Sequence, residues 1–340
     1  MKEVKLLDCT LRDGAHINQG LFGKERSNRI VNELQKSKID YIELGFIEPQ
    51  SAKENSTFFT SAEEAVDFFS LEKGLGDAKK GLMLRTDRCD LNIVKSNKNL
   101  DFIRIAFYPD HIDDVIRYTS KLVEREYDVY LNLIAVTSYE VSEIKKLLSQ
   151  LKESNDFTGI SIVDTYGALN ENNLLKMLPI FEDYIDDSKE LGLHLHENLN
   201  RASLLYSSFV KNSSKQKLII DSSLGGMGRV PGNLATEVCA NLINDDFNKK
   251  YHTENLALLA SNEIQSFKDI NTWGYLPIYA SSAMLNIDRS YPEYFQKQGL
   301  SDEQNINAQT IVAKINIIKK FSTQTADKAI KIINDKTYHI

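Results

Sequence analysis

Short apolar runs rich in Val, Ile, Leu and Tyr recur along the first two thirds of the chain, and longer segments with helical spacing of apolar positions separate them. This alternation is typical of repeated βα units. Two runs, 128–134 and 217–221, are apolar almost throughout, as expected for parallel strands that are buried on both faces. The pattern predicts eight strands, at residues 4–9, 41–46, 81–85, 102–107, 129–134, 160–164, 191–196 and 218–221.

Eight such units predict an α/β protein of the (β/α)8 TIM barrel type. An open doubly wound sheet would give the same alternation, but it usually has a Gly-rich turn after the first strand, which this sequence lacks. Past about residue 244 the strand pattern stops, and helical spacing continues at Leu256, Leu259, Ala260 and Ile264 and later at Ile311, Ile315, Ile318 and Lys319. We therefore expect a catalytic barrel over residues 1–245 and a C-terminal helical extension over residues 246–340.

Composition narrows the class of protein. The 340 residues are 42% hydrophobic and 26% charged, which is typical of a globular chain, and the net charge of -7 with no basic block argues against nucleic acid as a partner. Cys9, Cys89 and Cys239 lie far apart and form no zinc or redox pairing. With no apolar window of the ~18 residues that a membrane span needs, and no export signal, we expect a cytoplasmic protein with no membrane contact.

The candidate chemistry lies at the carboxyl ends of the predicted strands, where TIM barrels carry their active sites. The seventh strand ends in His194-Leu195-His196, and side chains two apart on a strand point to the same face. Together with Asp13 after the first strand, these histidines would form a two-His, one-carboxylate set that leaves positions open on a divalent ion. The alternative is a pair of hydrogen-bonded histidines in a polar pocket.

Two further residues follow the first strand close to Asp13. Arg12, if buried there, would be costly unless it stabilised an anion, so we expect it to hold an oxyanion; alternatively it ties the barrel together through Glu43 or Asp164. A turn at Gly14 would bring His16 back over the site, where a reference pKa near ~6.5 suits a general base or acid. The alternative is a surface histidine in a loop.

These residues belong to a longer series of motifs that resembles the metallolyase superfamily of TIM barrels. That superfamily includes 4-hydroxy-2-oxoacid aldolases, 3-hydroxy-3-methylglutaryl-CoA lyase, isopropylmalate and homocitrate synthases, and carboxyltransferase domains. The resemblance spans roughly residues 4–240. It rests on Asp8-x-Thr10-Leu11-Arg12-Asp13-Gly14, Ile42-Glu43-Leu44-Gly45-Phe46, Asp164-Thr165-Tyr166-Gly167, His194-x-His196-x-Asn198, Gly225-Gly226-Met227-Gly228 and Gly232-Asn233-Leu234-Ala235-Thr236-Glu237.

The resemblance implies a divalent ion, Mn2+ or Mg2+, held by Asp13, His194 and His196, with Arg12 steadying an enolate. Asn233 resembles a fourth ligand of the lyase branch, a place that the aldolase branch can leave to water. The resemblance also assigns Glu43 and Thr165 to substrate binding. In the tail, the segment 274–282 resembles the aldolases' helical domain, where a tyrosine joins the active site, and this favours Tyr279 over Tyr275.

Within this superfamily, the residue three positions after Asp13 indicates whether the chain resembles the aldolases or the CoA-handling enzymes. Pyruvate aldolases carry His there and the CoA-handling enzymes usually carry Gln; this chain has His16. Met227 and Arg229 also stand in the loop where the acyl-CoA lyase has a reactive Cys. The resemblance therefore implies an aldolase that cleaves or forms a 4-hydroxy-2-oxo acid from pyruvate and an aldehyde. The alternatives are an acyl-CoA/2-oxo acid synthase or lyase of the same superfamily, and a non-catalytic binding protein on this fold.

The expected partners are a small 2-oxo acid and an aldehyde, which the side chains of the βα loops would choose. We also expect a homo-oligomer. Most of the tail departs from the aldolase pattern, which argues against the paired aldehyde dehydrogenase of the catabolic aldolases.

Overall fold

The computed structural model describes residues 2–71, 76–154, 156–316 and 320–334. Eight parallel strands form a closed barrel, which confirms the predicted TIM barrel. A ninth strand, of two residues, pairs with the carboxyl end of β2. The strands are β1 Glu3–Asp8, β2 Tyr41–Ile47, β3 Phe58–Phe59 (the short one), β4 Lys79–Arg85, β5 Phe102–Phe107, β6 Asp128–Leu133, β7 Gly159–Val163, β8 Glu190–His194 and β9 Lys217–Ser222.

The first strand closes the barrel because it pairs on both sides. Leu7 of β1 is in register with Tyr41 of β2 and with Asp221 of β9. The barrel therefore has no free sheet edge, and the carboxyl ends of its strands meet around one opening.

Helices surround the barrel and continue into the tail. The helix α5 shows the reason for their packing, because Val115, Tyr118 and Leu122 recur at helical spacing and are all buried. The α-helices are α1 Thr10–Asp13, α2 Ala15–Asn18, α3 Lys24–Lys36, α4 Ala62–Phe69, α5 Ile112–Glu124, α6 Val141–Ser154, α7 Glu171–Tyr184, α8 Ala202–Asn212, α9 Thr236–Phe247, α10 Thr253–Leu259, α11 Gln265–Lys268, α12 Pro277–Met284, α13 Ser290–Lys297, α14 Asp302–Ile315 and α15 Thr323–Asn334. Shorter elements are the π-helix Ala260–Ile264 and 3-10 turns at Pro49–Ser51, Leu91–Ile93, Pro109–His111, Val136–Ser138 and Leu224–Gly226.

The C-terminal region is helical, as predicted, and it has an apolar cluster of its own. Tyr291, Phe295 and Val312 belong to that cluster, whereas Leu256 and Trp273 pack with the barrel core. The boundary at residue 245 stays a prediction, and Ile318 and Lys319 lie outside the described residues. In the described part of the chain, no helix combines the length and the apolar character needed to cross a membrane.

Four predicted strands end earlier in the structure than in the sequence analysis: β6 and β7 by one residue each, and β1 and β8 with consequences for the site. β1 stops at Asp8, whose carboxylate accepts a hydrogen bond from the Thr10 amide at 2.9 Å and so begins a helical turn. β8 stops at His194, and His196 instead forms an isolated antiparallel bridge with Asn233. Both departures bring polar side chains over the opening of the barrel.

Candidate active site

A cleft opens at the carboxyl ends of the barrel strands, where the sequence analysis expected the chemistry. It encloses about 760 Å³, counting its open mouth. Its lining includes Arg12, Asp13, His16, Phe46, Glu48, Met83, Arg85, Arg88, Ala106, Tyr108, Asn132, Ile134, Val163, Thr165, His194, His196, Arg229 and Arg289.

The three predicted metal ligands come together in the floor of this cleft. Asp13 ends α1, His194 ends β8, and His196 follows two residues later; all three are buried. One potential ligand atom from each lies within 4.8 Å of the others, and the distance from His196 Nε2 to Asp13 Oδ2 is 3.7 Å. This cluster could hold a divalent ion.

The neighbours of the two histidines fix which nitrogen is free. His194 Nδ1 lies 2.9 Å from Asp221 Oδ2, and His196 Nδ1 lies 2.8 Å from the backbone oxygen of Asp164. A carboxylate and a carbonyl can only accept, so both Nδ1 atoms carry the proton and both Nε2 lone pairs are left for a metal. Such outer partners are the usual support of metal-binding histidines.

Asn233 lies beside the cluster, as its predicted role as a fourth ligand requires. Its Nδ2 donates to Asp13 Oδ2 at 2.7 Å, while its buried Oδ1 has no hydrogen-bond partner among the described residues. A Cβ added at Gly228 would lie 2.6 Å from Asp13 Oδ2 and 2.5 Å from Asn233 Nδ2, so the loop passes directly over both groups. A buried amide oxygen without a donor, next to an anionic and two imidazole ligands, fits the surroundings of a divalent cation.

A chain of buried charges links the candidate ligands through the barrel interior. Arg12 donates to Asp13 at 2.8 Å and to Glu43 at 2.6 Å. Arg104 donates to Glu43 at 3.3 Å and to Asp221 at 2.6 Å, and Asp221 in turn holds His194.

The charges keep Asp13 ionised. Burial alone would raise the pKa of Asp13, but the Arg12 guanidinium beside it outweighs this effect and holds that pKa well below its usual range. Asp13 is therefore a carboxylate near pH 7, the form that binds a metal.

Arg12 is buried and lines the cleft, and one part of its fork remains free. Nε and Nη1 are used by Glu43 and Asp13, but Nη2 has no hydrogen-bond partner in the described part of the chain. The ring of Phe46 lies 5.7 Å from the guanidinium carbon. The structure thus contains features of both interpretations. Arg12 ties two elements together through Glu43, not Asp164, and the N–H groups of its Nη2 are left for a ligand in the cleft.

His16 lies in the cleft, and Gly14 separates the two short helices α1 and α2. Gly14 has right-handed helical angles, φ -60 and ψ -24, and the chain continues helically from α1 into α2. His16 therefore lies on the same face as Asp13 because residues three apart in a helix are neighbours. A Cβ at Gly14 would lie 2.3 Å from the Thr10 carbonyl oxygen and 3.1 Å from Met227, so close packing is the reason for the glycine.

The surroundings of His16 favour its neutral form. Removal from bulk water lowers the pKa of His16 from 6.5 to about 4. The charges of Arg229, Arg12 and Arg88 reinforce this shift, and the charge of Asp13 opposes it. The side chain is exposed at the mouth of the cleft, so solvent screens part of this effect. A neutral imidazole is the form that can accept a proton.

The remaining predicted residues differ in their positions. Thr165 lines the cleft, and its Oγ1 accepts a hydrogen bond from the Ala135 amide at 2.7 Å, which leaves its O–H free to donate to a ligand. Glu43 is fully buried beneath Arg12 and does not line the cleft, so its predicted contact with substrate is replaced by a supporting position. Tyr279 lines an outer extension of the cleft rather than the floor, and Tyr275 lies at a separate pocket.

Sequence reasoning missed two kinds of functional candidate. Asp221 and Arg104 support the metal cluster from inside the barrel, and only their places on β9 and β5 could have indicated this. Four arginines of the cleft wall were also missed: Arg85, Arg88, Arg229 and Arg289. Arg85 ends β4, which is the position where a polar residue in a TIM barrel has functional weight.

The fold and the buried His–His–Asp cluster define a TIM barrel with a candidate metal centre, and comparison with known proteins agrees with this class. No protein-family model matches the chain. A homocitrate synthase of Methanosarcina acetivorans is 25% identical over 240 residues, which are 69% of this chain and 57% of that protein. A 4-hydroxy-2-oxovalerate aldolase of Chloroflexus aurantiacus is 24% identical over 310 residues, which are 86% of this chain and 87% of that protein.

Solved structures share the fold at still lower identity. The carboxyl transferase domain of Rhizobium etli pyruvate carboxylase, determined with pyruvate, has a TM-score of 0.74 and 12% identity, with 99% of this chain and 61% of that one covered. The chain thus spans little more than half of the homocitrate synthase and most of the aldolase. The curated proteins that it resembles include aldolases and synthases, and the solved structures show that it shares their TIM-barrel fold.

Proposed function

We propose that this protein is a divalent-metal-dependent aldolase that cleaves or forms a 4-hydroxy-2-oxo acid from pyruvate and an aldehyde. The observation that carries the proposal is the convergence in one cleft of the Asp13, His194 and His196 cluster, the free Nη2 of Arg12, and a neutral imidazole at His16. The similarity over most of the length of a 4-hydroxy-2-oxovalerate aldolase supports it.

Asp13, His194 and His196 would hold the ion, with Asn233 Oδ1 as a possible further donor. When bound, a divalent ion such as Mn2+ or Mg2+ supplies Lewis-acid chemistry that favours negative charge on a substrate carbonyl oxygen.

The protein's own groups divide the remaining work of the cleavage. His16 accepts the proton of the 4-hydroxyl group; the C3–C4 bond breaks, C4 becomes the aldehyde carbonyl, and the bonding electrons form the enolate of pyruvate. Arg12 Nη2 donates to the oxygen on which that negative charge gathers, so its interaction strengthens as the reaction proceeds and lowers the barrier. Thr165 can donate its O–H to a substrate oxygen and so orient it. The same groups run the condensation in reverse.

The test separates binding, enolisation and cleavage. Purified protein should contain bound divalent metal, exchange the methyl protons of pyruvate in D2O as followed by NMR, and cleave 4-hydroxy-2-oxo acids to pyruvate. His252→Ala, which removes an exposed histidine, is the matched control for histidine variants of the site. If the metal-loaded protein neither exchanges pyruvate protons nor cleaves any such acid, the proposal is refuted.

A Claisen-type synthase is the second candidate, because a homocitrate synthase is among the relatives. That enzyme class would release free CoA thiol from an acyl-CoA in the presence of a 2-oxo acid. Thiol release with no cleavage of hydroxy-oxo acids would favour this candidate over the aldolase.

A further inference from the structure

Four arginine side chains, Arg85, Arg88, Arg229 and Arg289, form part of the wall of the cleft around the metal cluster. We call them the arginine wall. The proposed aldol chemistry uses none of them, because Arg12 already serves the developing enolate. The whole chain carries a net charge of -7, so this concentration of positive charge is local.

Arg289 is the member whose surroundings point most clearly to a ligand. Its side chain lies at the start of α13, the residue is 2% exposed, and Nη1 donates to the Val230 carbonyl oxygen at 2.8 Å. Its buried Nε has no hydrogen-bond partner, and no carboxylate lies within ion-pair distance among the described residues. Burying a guanidinium without an anion is unfavourable, so an incoming anion would complete this site.

The other three arginines each contact one carboxylate and still line the cleft. Arg85 is paired with Asp87 at 2.6 Å, and Arg88 lies 3.2 Å from Glu48. Arg229 lies 3.6 Å from Glu293, and its side chain is 37% exposed. Arg229 and Glu293 are both partly exposed, and such a pair contributes little on its own, so an incoming anion can compete for Arg229.

The position of the arginine wall indicates which part of a substrate it would meet. Arg88 and Arg229 line both the inner cleft and its outer extension, so they lie on the path outward from the metal cluster. A 2-oxo acid bound at the metal cluster would leave this outward path open to the second substrate. Its single carboxylate also cannot satisfy four guanidinium groups in addition to Arg12.

We infer that the aldehyde partner carries an anionic group, a phosphate or a carboxylate, at the end away from its carbonyl, and that the arginine wall binds this group. The inference rests on the proposed aldol function. Arginine suits this task because its planar fork donates two parallel N–H groups to phosphate or carboxylate oxygens. The phosphates of an acyl-CoA fit less well, since the long pantetheine arm separates them from the reacting thioester whereas Arg85 and Arg289 line the same inner cleft as the metal cluster.

The experiment compares aldehydes that differ only in charge, with saturating pyruvate and metal. Glyceraldehyde 3-phosphate is compared with glyceraldehyde, and succinate semialdehyde with butyraldehyde. We expect kcat/KM to favour the charged member of at least one pair by about 10- to 100-fold, the range of one or two charge-assisted hydrogen bonds. The pair that shows the larger ratio identifies phosphate or carboxylate as the group.

Variants connect that preference to the arginine wall. Arg88→Gln and Arg229→Gln replace side chains at the cleft surface, and each should lower the charged-to-neutral ratio about tenfold and weaken binding of glyceraldehyde 3-phosphate or succinate semialdehyde in calorimetry. Arg117→Gln is the matched control, because Arg117 also pairs with a carboxylate, Asp114, but lies exposed on α5 away from the cleft. Arg289→Gln should have the largest effect if it folds.

Proton exchange of pyruvate without any aldehyde distinguishes the two levels of failure. If exchange is absent, the proposed function fails and the inference falls with it. If exchange occurs but neutral aldehydes are used as well as charged ones, or none of the four reacts, or the two glutamine variants keep the wild-type ratio, the inference alone is overturned.

Discussion

Replacing Asp221 with Asn should weaken metal binding although Asp221 is not a candidate ligand. Its Oδ2 accepts from His194 Nδ1 at 2.9 Å and from Arg104 Nη2 at 2.6 Å, and the residue is 1% exposed. The buried chain contains three carboxylates, those of Asp13, Glu43 and Asp221, and the guanidinium groups of Arg12 and Arg104. With neutral histidines this leaves one net negative charge, which favours a divalent cation and which Asp221→Asn removes.

Two magnitudes follow from this geometry. Loss of a partner that orients a metal-binding histidine typically costs 10- to 100-fold in metal affinity, about 1.4 to 2.8 kcal/mol. Loss of one member of a buried ion pair costs about 3 kcal/mol in the free energy of unfolding, because Arg104 then keeps only the more distant Glu43 as a charged partner. The metal-free protein should therefore also unfold at lower denaturant concentration.

The assays are calorimetric titration with Mn2+ and urea unfolding of the metal-free protein. Asp187→Asn is the control: Asp187 also pairs with a cation, Lys215 Nζ at 2.9 Å, but its side chain is 94% exposed. That variant should lose less than about 1 kcal/mol and bind Mn2+ as the wild type does. If Asp221→Asn binds Mn2+ within twofold of the wild type, the argument that Asp221 positions His194 is wrong.

Four further predictions concern residues that line the candidate site or stabilise the barrel around it. His194→Ala or His196→Ala should abolish activity and lower bound metal, measured by metal analysis against His252→Ala; full metal content would refute the ligand assignment. Arg12→Lys should lose about 10² to 10³ in kcat, nearly as much as Arg12→Ala, and a Lys variant within a few-fold of wild type would contradict the oxyanion role. His16→Ala should lose aldol cleavage but still exchange pyruvate methyl protons; cleavage at the wild-type rate would show that His16 is not the base. Burial raises the pKa of Asp8 to about 6, so the native state holds a proton that the unfolded chain releases near pH 4. This contribution to stability is present below pH 4 and is lost as pH rises through 6, so the free energy of unfolding should fall by about 3 kcal/mol relative to that of Asp8→Asn. Urea unfolding of both proteins at pH 4 and 7 measures this difference. An equal pH dependence of the two proteins would refute the prediction.

Much of the fold followed from local pattern because buried parallel strands are continuously apolar. The run at 217–221 predicted β9 almost to its ends, and the strand at Phe102–Phe107 was predicted over the same residues. The strand ends then indicated Asp13, His194 and His196, since every barrel strand delivers its last polar residues to the same opening.

The sequence analysis was least specific where the packing of distant segments decides the local structure. Gly14 fits a turn or a helix equally well, and only the close approach of Met227 shows why a glycine is needed in the helical path. Glu43 was assigned to substrate binding as part of the family resemblance, yet its Oε2 accepts hydrogen bonds from Arg12 and Arg104 beneath the cleft. The sequence of β2 alone does not show whether the Glu43 carboxylate lies beneath the floor of the cleft or in its wall.

The arginine wall could not be predicted at all, because its members come from three distant stretches of the chain. Arg85 and Arg88 follow one strand, Arg229 lies after β9, and Arg289 belongs to the tail. Only the packing of the helical extension over the barrel opening brings Arg289 into the cleft. The tail therefore contributes Arg289 to the candidate site, whereas the sequence analysis predicted only a tyrosine of the tail as a site residue.

The buried charges of the barrel interior are better explained by how they orient the site residues than by a contribution to the stability of the fold. A pair such as Arg104 and Asp221 gains its Coulomb attraction at a large cost in lost hydration, and apolar side chains of similar volume would fill the same space with no such cost. Yet every member of the chain from Asp13 to His194 contacts the next within 3.3 Å. Each charge fixes the orientation of its neighbour, so a candidate ligand on α1 and another on β8 are held against the same rigid frame. An apolar barrel would lose this coupling, and Arg12 and His194, which line the same cleft, would no longer be held by one network of contacts.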